Sequence, residues 1–305
     1  MSGGWDLCLY WVVLSRRTLV KVSSALQLKE DWVPETIVVP LDGSAFAERA
    51  LGPAAAVARR TGASVIVLTA RQGGVAVEPA AYLTQVAEAA GIADPEPVVI
   101  DDRLAASAIV MLAHEARDPL VCMTTHARGG PGHALFGSVA EEVLRRVPAP
   151  VLLVGPRVPS GILEFAHLVV GLDGSDYSTA ILTVAASLAV ALGVDVTLVT
   201  VLDPTARSAG GAAPDMSGEE ASNLERLAKG LEADCGPVAV KLVPAADPAH
   251  AIVELAASRP GTVVALTSHG RTGLARLTVG SVTMAVVRNA TCPILTLRPP
   301  GLEPS

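Results

Sequence analysis

The residues best placed to do chemistry are glycines and hydroxyls at a strand-to-helix handover. Thr267-Ser268-His269-Gly270-Arg271 opens one such loop and Gly280-Ser281 closes it. An apolar run, Thr262–Leu266, precedes the loop and reads as a buried strand; a helical pattern, Ser281–Arg288, follows it. That layout suits a phosphate. Glycine lets backbone N–H groups approach a ligand closely, and Ser281 falls where a helix N-terminus offers unpaired donors and the positive end of its dipole. A plain loop ended by a serine N-cap uses the same residue types, so one such loop leaves both readings open. The anion reading gains because the chain repeats the device: Thr124-Thr125-His126-Ala127 is followed, after nine residues, by Gly137-Ser138 and the helical pattern Val139–Arg146.

Two aspartates join these loops. Asp42 follows the apolar run Thr36–Leu41, and Asp173 follows Leu168–Leu172; each opens an Asp-Gly-Ser turn. The carboxyl edge of a parallel sheet is where ligands of open α/β folds sit. A carboxylate there can accept hydrogen bonds from ribose hydroxyls or an adenine amino group, or it can cap the turn together with Ser44 or Ser175. Arg128 and Arg271 stand where they could bring charge to a phosphate, or be solvated surface residues. His126 and His269 have no accompanying nucleophile or acid, and the six histidines show no HExxH spacing, so they read as locally hydrogen-bonded loop residues. The chain has no Walker A lysine motif, GxSxG elbow or GxGxxG after its first strand. Nothing supplies the lysine, general base and metal carboxylates of fast phosphoryl transfer. No catalytic residue and no metal ligand is assigned, and an enzyme is not expected.

The elements that must position these residues alternate. After the first strand come an alanine-rich helix over Ala45–Arg60, a strand Val65–Thr69, a helix Ala80–Ala90 and a strand Val98–Ile100. A helix Ala105–Ala116, a strand Leu120–Met123, the glycine loop with its helix and a fifth strand, Pro150–Val154, complete the series. Apolar strands alternating with helices predict right-handed crossovers and a parallel sheet covered on both faces.

A joint rich in proline and glycine near Pro156–Gly161 then leads into the same order again. Asp42 to Asp173 is a shift of 173 − 42 = 131, and Gly62 to Gly193 keeps it. Ser138 to Ser281 is 281 − 138 = 143, as are His126 to His269 and Pro150 to Pro293. The 12-residue difference is a net insertion, for which Asp203–Gly218 is the natural home. The chain is two copies of one domain, placed at 34–158 and 159–305, behind an unassigned N-terminal extension, 1–33.

Each copy resembles the universal stress protein family, here in a tandem two-domain form. The family loop reads G-x-x-G, nine residues, then G-[ST]. It falls on Thr267, Gly270, Gly280 and Ser281 in the second copy and on Thr124, Ala127, Gly137 and Ser138 in the first. The resemblance implies a five-stranded parallel α/β sandwich per copy, of Rossmann-like adenine-nucleotide-binding type. ATP, taken together with Mg, would bind across the strand ends. It carries the family's nucleoside-contacting aspartate onto Asp42 and Asp173, and its adenine-packing residue onto Ala70 and Val201; Arg271 would border the phosphates. Thr124 and Thr267 replace the first glycine and Ala127 the second, so the second copy is the better nucleotide candidate. A Cβ at those places would crowd a phosphate or demand backbone angles that glycine adopts cheaply. The resemblance further implies that the last strands, Val151–Val154 and Ile294–Leu297, pair with each other, giving a pseudo-dimer within one chain; a homodimer of chains is also open to it. The expected role is regulatory or sensory in the stress response. The rival reading is an interaction module that kept the fold and lost the nucleotide.

Composition fits that picture. Half of the 305 residues are hydrophobic, enough for sizeable cores. Aromatics at 3% and a net charge of −7 argue against nucleic acid as a partner. The four cysteines are far apart with no CxxC pair, as buried free thiols of a reducing cytoplasm would be. The N-terminal apolar run Leu7–Leu14 is too short to span a bilayer. It lacks a basic n-region and an A-x-A site, so no membrane association is expected and the setting reads as cytoplasmic. Residues 1–33 have no counterpart elsewhere; they read equally as an appendage, a membrane-touching segment or an over-extended reading frame.

Overall fold

The protein is described by a computed structural model over residues 32–71, 78–101, 105–125, 137–161, 163–204, 218–268 and 279–298. The first copy runs β1 (Thr36–Leu41), a 3₁₀ turn (Ala47–Ala50), α1 (Leu51–Thr61), β2 (Ser64–Arg71), α2 (Pro79–Ala89) and β3 (Glu96–Asp101). It continues with α3 (Ala105–Glu115), β4 (Pro119–Thr124), α4 (Ser138–Arg146) and β5 (Val151–Val154). The second copy runs β6 (His167–Gly171), a short α5 (Asp176–Thr179), α6 (Ile181–Leu192), β7 (Asp195–Leu202), α7 (Glu219–Cys235) and β8 (Val238–Pro244). It ends with α8 (Pro248–Ala257), β9 (Thr262–Thr267), α9 (Ser281–Asn289) and β10 (Ile294–Leu297).

The expected helix over Ala45–Arg60 is thus split: Ser44 caps a 3₁₀ turn, and the α-helix proper begins only at Leu51. Both α1 and α6 stop where glycine turns left-handed, at Gly62 (φ 73°) and Gly193 (φ 63°), a conformation without steric cost only for glycine. The 12-residue insertion is not confined to Asp203–Gly218. Part of it lengthens a helix, since α7 has 17 residues against 11 in α2.

The strands of the described residues join one ten-stranded sheet in the order β3-β2-β1-β4-β5-β10-β9-β6-β7-β8. Within each half every pairing is parallel, and the order 3-2-1-4-5 repeats. The sheets of the two halves join at an antiparallel pairing, β5 with β10, where Leu152 lies opposite Leu295. An apolar last strand would otherwise expose its unpaired edge, and here the two edges satisfy each other. The expected pseudo-dimer is therefore one continuous sheet.

Helices cover both faces, which is why the central strands are apolar throughout rather than alternating. On one face the core contains Ala54 of α1, Leu83 of α2, Ala185 of α6 and Leu224 of α7. On the other it contains Ile109 of α3, Val143 of α4, Ile252 of α8 and Val286 of α9. Trp32, fully buried, belongs to the first of these cores, so the folded part reaches back before residue 34.

Candidate functional site

Each half of the sheet reverses its strand order once, between β1 and β4 and between β6 and β9. At such a switch point the two crossovers leave on opposite faces and a crevice opens beyond the carboxyl ends of the strands. Pairing of β1 with β4 runs only from Thr36 to Val38, and Pro40 has no N–H with which to extend it. Pairing of β6 with β9 runs from His167 to Val170. Beyond those residues the strands part, and a cavity lies in each gap.

In the second copy the cavity measures about 420 Å³ and is bordered by Asp173 after β6, Val201 at the end of β7, Thr267 at the end of β9, and Gly280 and Ser281 at the start of α9. In the first it measures about 130 Å³ and is bordered by the counterparts Asp42, Ala70, Thr124, Gly137 and Ser138. The fold thus brings together, at each switch point, the described residues that the sequence singled out. Ala127, Gly270, Arg271, and likewise His126, Arg128 and His269, lie outside the described residues.

The aspartates hold turns. Asp42 Oδ1 accepts from the Ser44 amide (2.9 Å) and hydroxyl (2.6 Å), and Ser44 Oγ in turn accepts from the Ala47 amide at 3.1 Å. Asp173 does the same with the Ser175 amide (3.0 Å) and hydroxyl (2.6 Å), and Ser175 Oγ caps α5 by accepting from the Ser178 amide at 3.2 Å. Such Asx and serine caps stabilise the chain reversal at the strand end. They also fix each carboxylate at its cavity wall, so the capping reading is realised while Asp173 still borders a ligand-sized space.

The helix starts are arranged differently from the expectation in one respect. The Gly137 and Gly280 amides do not face a ligand: they donate to the carbonyls of Thr125 (2.8 Å) and Ser268 (2.5 Å), closing the base of each loop. The first intrahelical bonds then run from the Glu141 amide to Gly137 and from the Met284 amide to Gly280. The amides of Ser281, Val282 and Thr283 precede that first bond in α9, and they are the donors a helix N-terminus leaves for an anion.

Thr124 and Thr267 end their strands and are both 6% exposed. Neither has a positive φ, so the backbone there asks nothing of glycine. The Thr283 hydroxyl donates to the Thr267 carbonyl at 2.9 Å, locking the α9 start to the end of β9. Its counterpart in the first copy is Ala140, which has no hydroxyl.

Among the further residues that border the larger cavity and were not singled out by pattern are Leu202 at the end of β7, Asp203 just after it, and Glu220 in the first turn of α7. Their signal in the sequence was an acid one residue past a strand and another at a helix start. Both lie next to the insertion, where no counterpart in the first copy could draw attention to them.

Comparison with known proteins matches this architecture. A profile of the universal stress protein family matches residues 34–155 and again 164–298. A universal stress protein of Mycobacterium tuberculosis is 32% identical over 197 residues, which cover 62% of this chain and 64% of that relative. A second from the same organism is 29% identical over 189 residues, 59% of each chain. The chain therefore spans about three fifths of the length of the curated relatives it matches. Among solved structures, a universal stress protein of Archaeoglobus fulgidus superposes with a TM-score of 0.60 at 18% identity, covering 87% of this chain and 98% of that one. One of Pseudomonas aeruginosa gives 0.59 at 16%, covering 89% and 95%. At such identities the likeness speaks for the fold alone.

Proposed function

The chain belongs to the universal stress protein family in both of its halves, and from that premise we propose that it is an ATP-binding regulatory protein of the stress response that acts through conformation or partners. The observation that carries this reading is the cavity of about 420 Å³ at the β6/β9 switch point. That volume lies within the roughly 300–1,000 Å³ of small-molecule sites. An apolar wall at Val201 and Leu202 suits a base, the Asp173 carboxylate suits ribose hydroxyls, and the α9 start suits phosphate oxygens. Mg²⁺ would arrive on the nucleotide's phosphates, as this ion usually does.

The site reads as one that holds its ligand rather than turning it over. The described lining contains no lysine of the kind phosphoryl-transfer sites place on the phosphates. Occupancy would tie β6, β7 and α9 together, and through β10 the change would reach the other half. The setting we favour is the cytoplasm: among the described residues no helix is long and apolar enough to cross a membrane, and the three described cysteines are free.

Isothermal titration with Mg-ATP tests this, on the wild-type chain and on Gly280→Val, whose branched side chain would stand at the α9 start. Saturable binding, weakened in the variant, is the expected result. No saturable binding at millimolar ATP would instead favour the interaction module that kept the fold and lost the nucleotide. Multiple-turnover ADP release well above the uncatalysed rate would refute the holding role.

A further inference from the structure

The anion donors at the start of α9 do not belong to a loose helix end. Two consecutive carbonyls at the end of β9 hold two positions of that first turn. Ser268 accepts from the Gly280 amide at 2.5 Å, and Thr267 accepts from the Thr283 hydroxyl at 2.9 Å. The first bond is main chain, and the first copy repeats it between the Gly137 amide and the Thr125 carbonyl. The second is made by a side chain, and Ala140, at the counterpart position, cannot make it.

Thr283 is the third residue of α9. The amides of residues 281 to 283 are the ones without a carbonyl inside the helix to bond, since the first intrahelical bond is that of the Met284 amide to Gly280. The bond at Gly280 fixes one end of this row, and by itself it would let the turn pivot. The bond at Thr283 fixes the other end, and with it the direction in which the three N–H groups point. A helix start holds an anion by several such groups acting together, and groups set in place beforehand lose no freedom when the ligand arrives.

The geometry favours positioning over direct contact. A threonine hydroxyl has one proton to give, and the Thr267 carbonyl takes it. Thr267 lies beyond the last registered pair of β6 with β9, Val170 opposite Ala265, so no residue of β6 stands in register with it. Thr267, Ser268 and Thr283 are 6%, 1% and 5% exposed, so bulk water does not compete for the bond. Thr283 nonetheless borders the cavity, directly behind the donors it would orient.

We infer that Thr283 is a positioning residue of the second mouth: its hydroxyl, given to the Thr267 carbonyl, aims the amides of residues 281 to 283 at the phosphates and touches no phosphate itself. This rests on the nucleotide reading above. It adds that the phosphate end of the ligand depends on the bond and the nucleoside end does not.

Titration calorimetry of the full chain with Mg-ATP and with adenosine separates those two ends. The titrations are made in Gly137→Val, whose branched side chain stands at the first mouth, so that the equivalent followed is the one at α9. Thr283→Val keeps the shape and removes the hydroxyl; it should weaken Mg-ATP about three- to tenfold, the worth of one hydrogen bond, and adenosine less than about twofold. Thr283→Ser, which restores the hydroxyl, should return Mg-ATP to within about twofold. Where adenosine binds too weakly to follow, AMP replaces it, with a smaller loss expected for one phosphate than for three. Should Thr283→Val melt below the titration temperature, Thr283→Ala serves, since the fold already holds alanine at position 140; if both melt there, the bond is a requirement of the fold and the inference fails. Equal losses for the two ligands, an undiminished Mg-ATP affinity, or a serine variant as weak as the valine one overturn the inference and leave the nucleotide reading standing. Binding that Gly137→Val alone abolishes puts the ligand in the first mouth and overturns it too. No saturable binding by the wild-type chain removes the nucleotide reading and this inference with it.

Discussion

Gly155, the residue after β5, has no room for a methyl group. A Cβ built there would lie 2.1 Å from the backbone carbonyl oxygen of Val287, in the last turns of α9 on the other half of the molecule. Carbon and oxygen rest about 3.3 Å apart even in close C–H···O contacts, so Gly155→Ala must move the two halves about 1 Å relative to each other. A side chain could rotate away; a helix carbonyl cannot. Overpacking of this kind costs about 1–3 kcal/mol, and the rigid neighbour puts the expected loss near about 3. For a chain of this size about 2–4 °C of melting temperature go with each kcal/mol, so the variant should melt about 6–12 °C lower. Gly155 has no positive φ, so alanine's backbone is not itself strained there.

The matched control is Gly230→Ala, in the middle of α7, where a Cβ would meet nothing within 4 Å. The same methyl should there stabilise by about 0.5–1 kcal/mol, from the better helix propensity of alanine. Differential scanning calorimetry of both variants beside the wild type decides the matter. If Gly155→Ala melts with or above the wild type, the seam is not tightly packed and the reasoning about one continuous sheet fails.

Three other outcomes are expected. His167 is 4% exposed, within hydrogen-bond distance of the Thr197 hydroxyl (3.1 Å) and Arg259 (3.3 Å), with Asp195 and Lys241 acting on it at longer range. Burial first, and then the Arg259 charge, push its pKa below the ordinary 6.5. The unfolded chain then binds more protons below that pH, so stability should fall as pH drops from 6.5, by at most about 1.4 kcal/mol per unit. His167→Gln should flatten part of that slope in urea titrations between pH 7 and about 5; an unchanged slope would refute the assignment. His114, lowered for the same reason of burial, accounts for some of what remains. Asp247 caps α8 by accepting from the His250 amide at 3.1 Å, and Asp247→Ala should lower stability by about 1 kcal/mol in urea denaturation. Among the described thiols, burial holds Cys122 well above its usual range and pushes the half-buried Cys292 up to about 12; burial, and then the Asp234 charge, also raise the half-buried Cys235, though not to such an extreme. Because the thiolate is the reactive form, brief alkylation of the native chain followed by mass spectrometry should label Cys235 ahead of Cys122 and Cys292. Equal labelling would count against the burial assigned to them.

Much of the fold was legible because parallel strands covered on both faces leave unbroken apolar runs. Ile37–Val39, Leu120–Met123 and Ile294–Leu297 could be read as strands from composition alone, and all lie in strands of the sheet. The duplication was legible because a constant shift of glycines, aspartates and serines needs no structure to detect. Helix boundaries were less so. The turn at Ala47–Ala50 departs from the α-helix because Ser44 and Asp42 hold the chain by side-chain bonds, and no propensity of the alanines there reveals that.

The site divides along the same line. The linear order of residues determined that one strand of each half would end in a carboxylate and another would lead into a helix-starting Gly-Ser, because short-range geometry holds each strand-to-helix unit together; the pairing of β1 with β4 and of β6 with β9 brought the two units to one switch point. Tertiary structure alone decided what those groups enclose. Whether Asp173 faces a ligand-sized space depends on Gly171, Leu266 and Ile252 meeting across three elements, and on the lengthened α7 reaching the mouth. The antiparallel sense of the β5/β10 seam was likewise set between halves far apart in the chain. Volume and seam are sums over contacts between distant segments, and no local pattern of residues encodes such a sum.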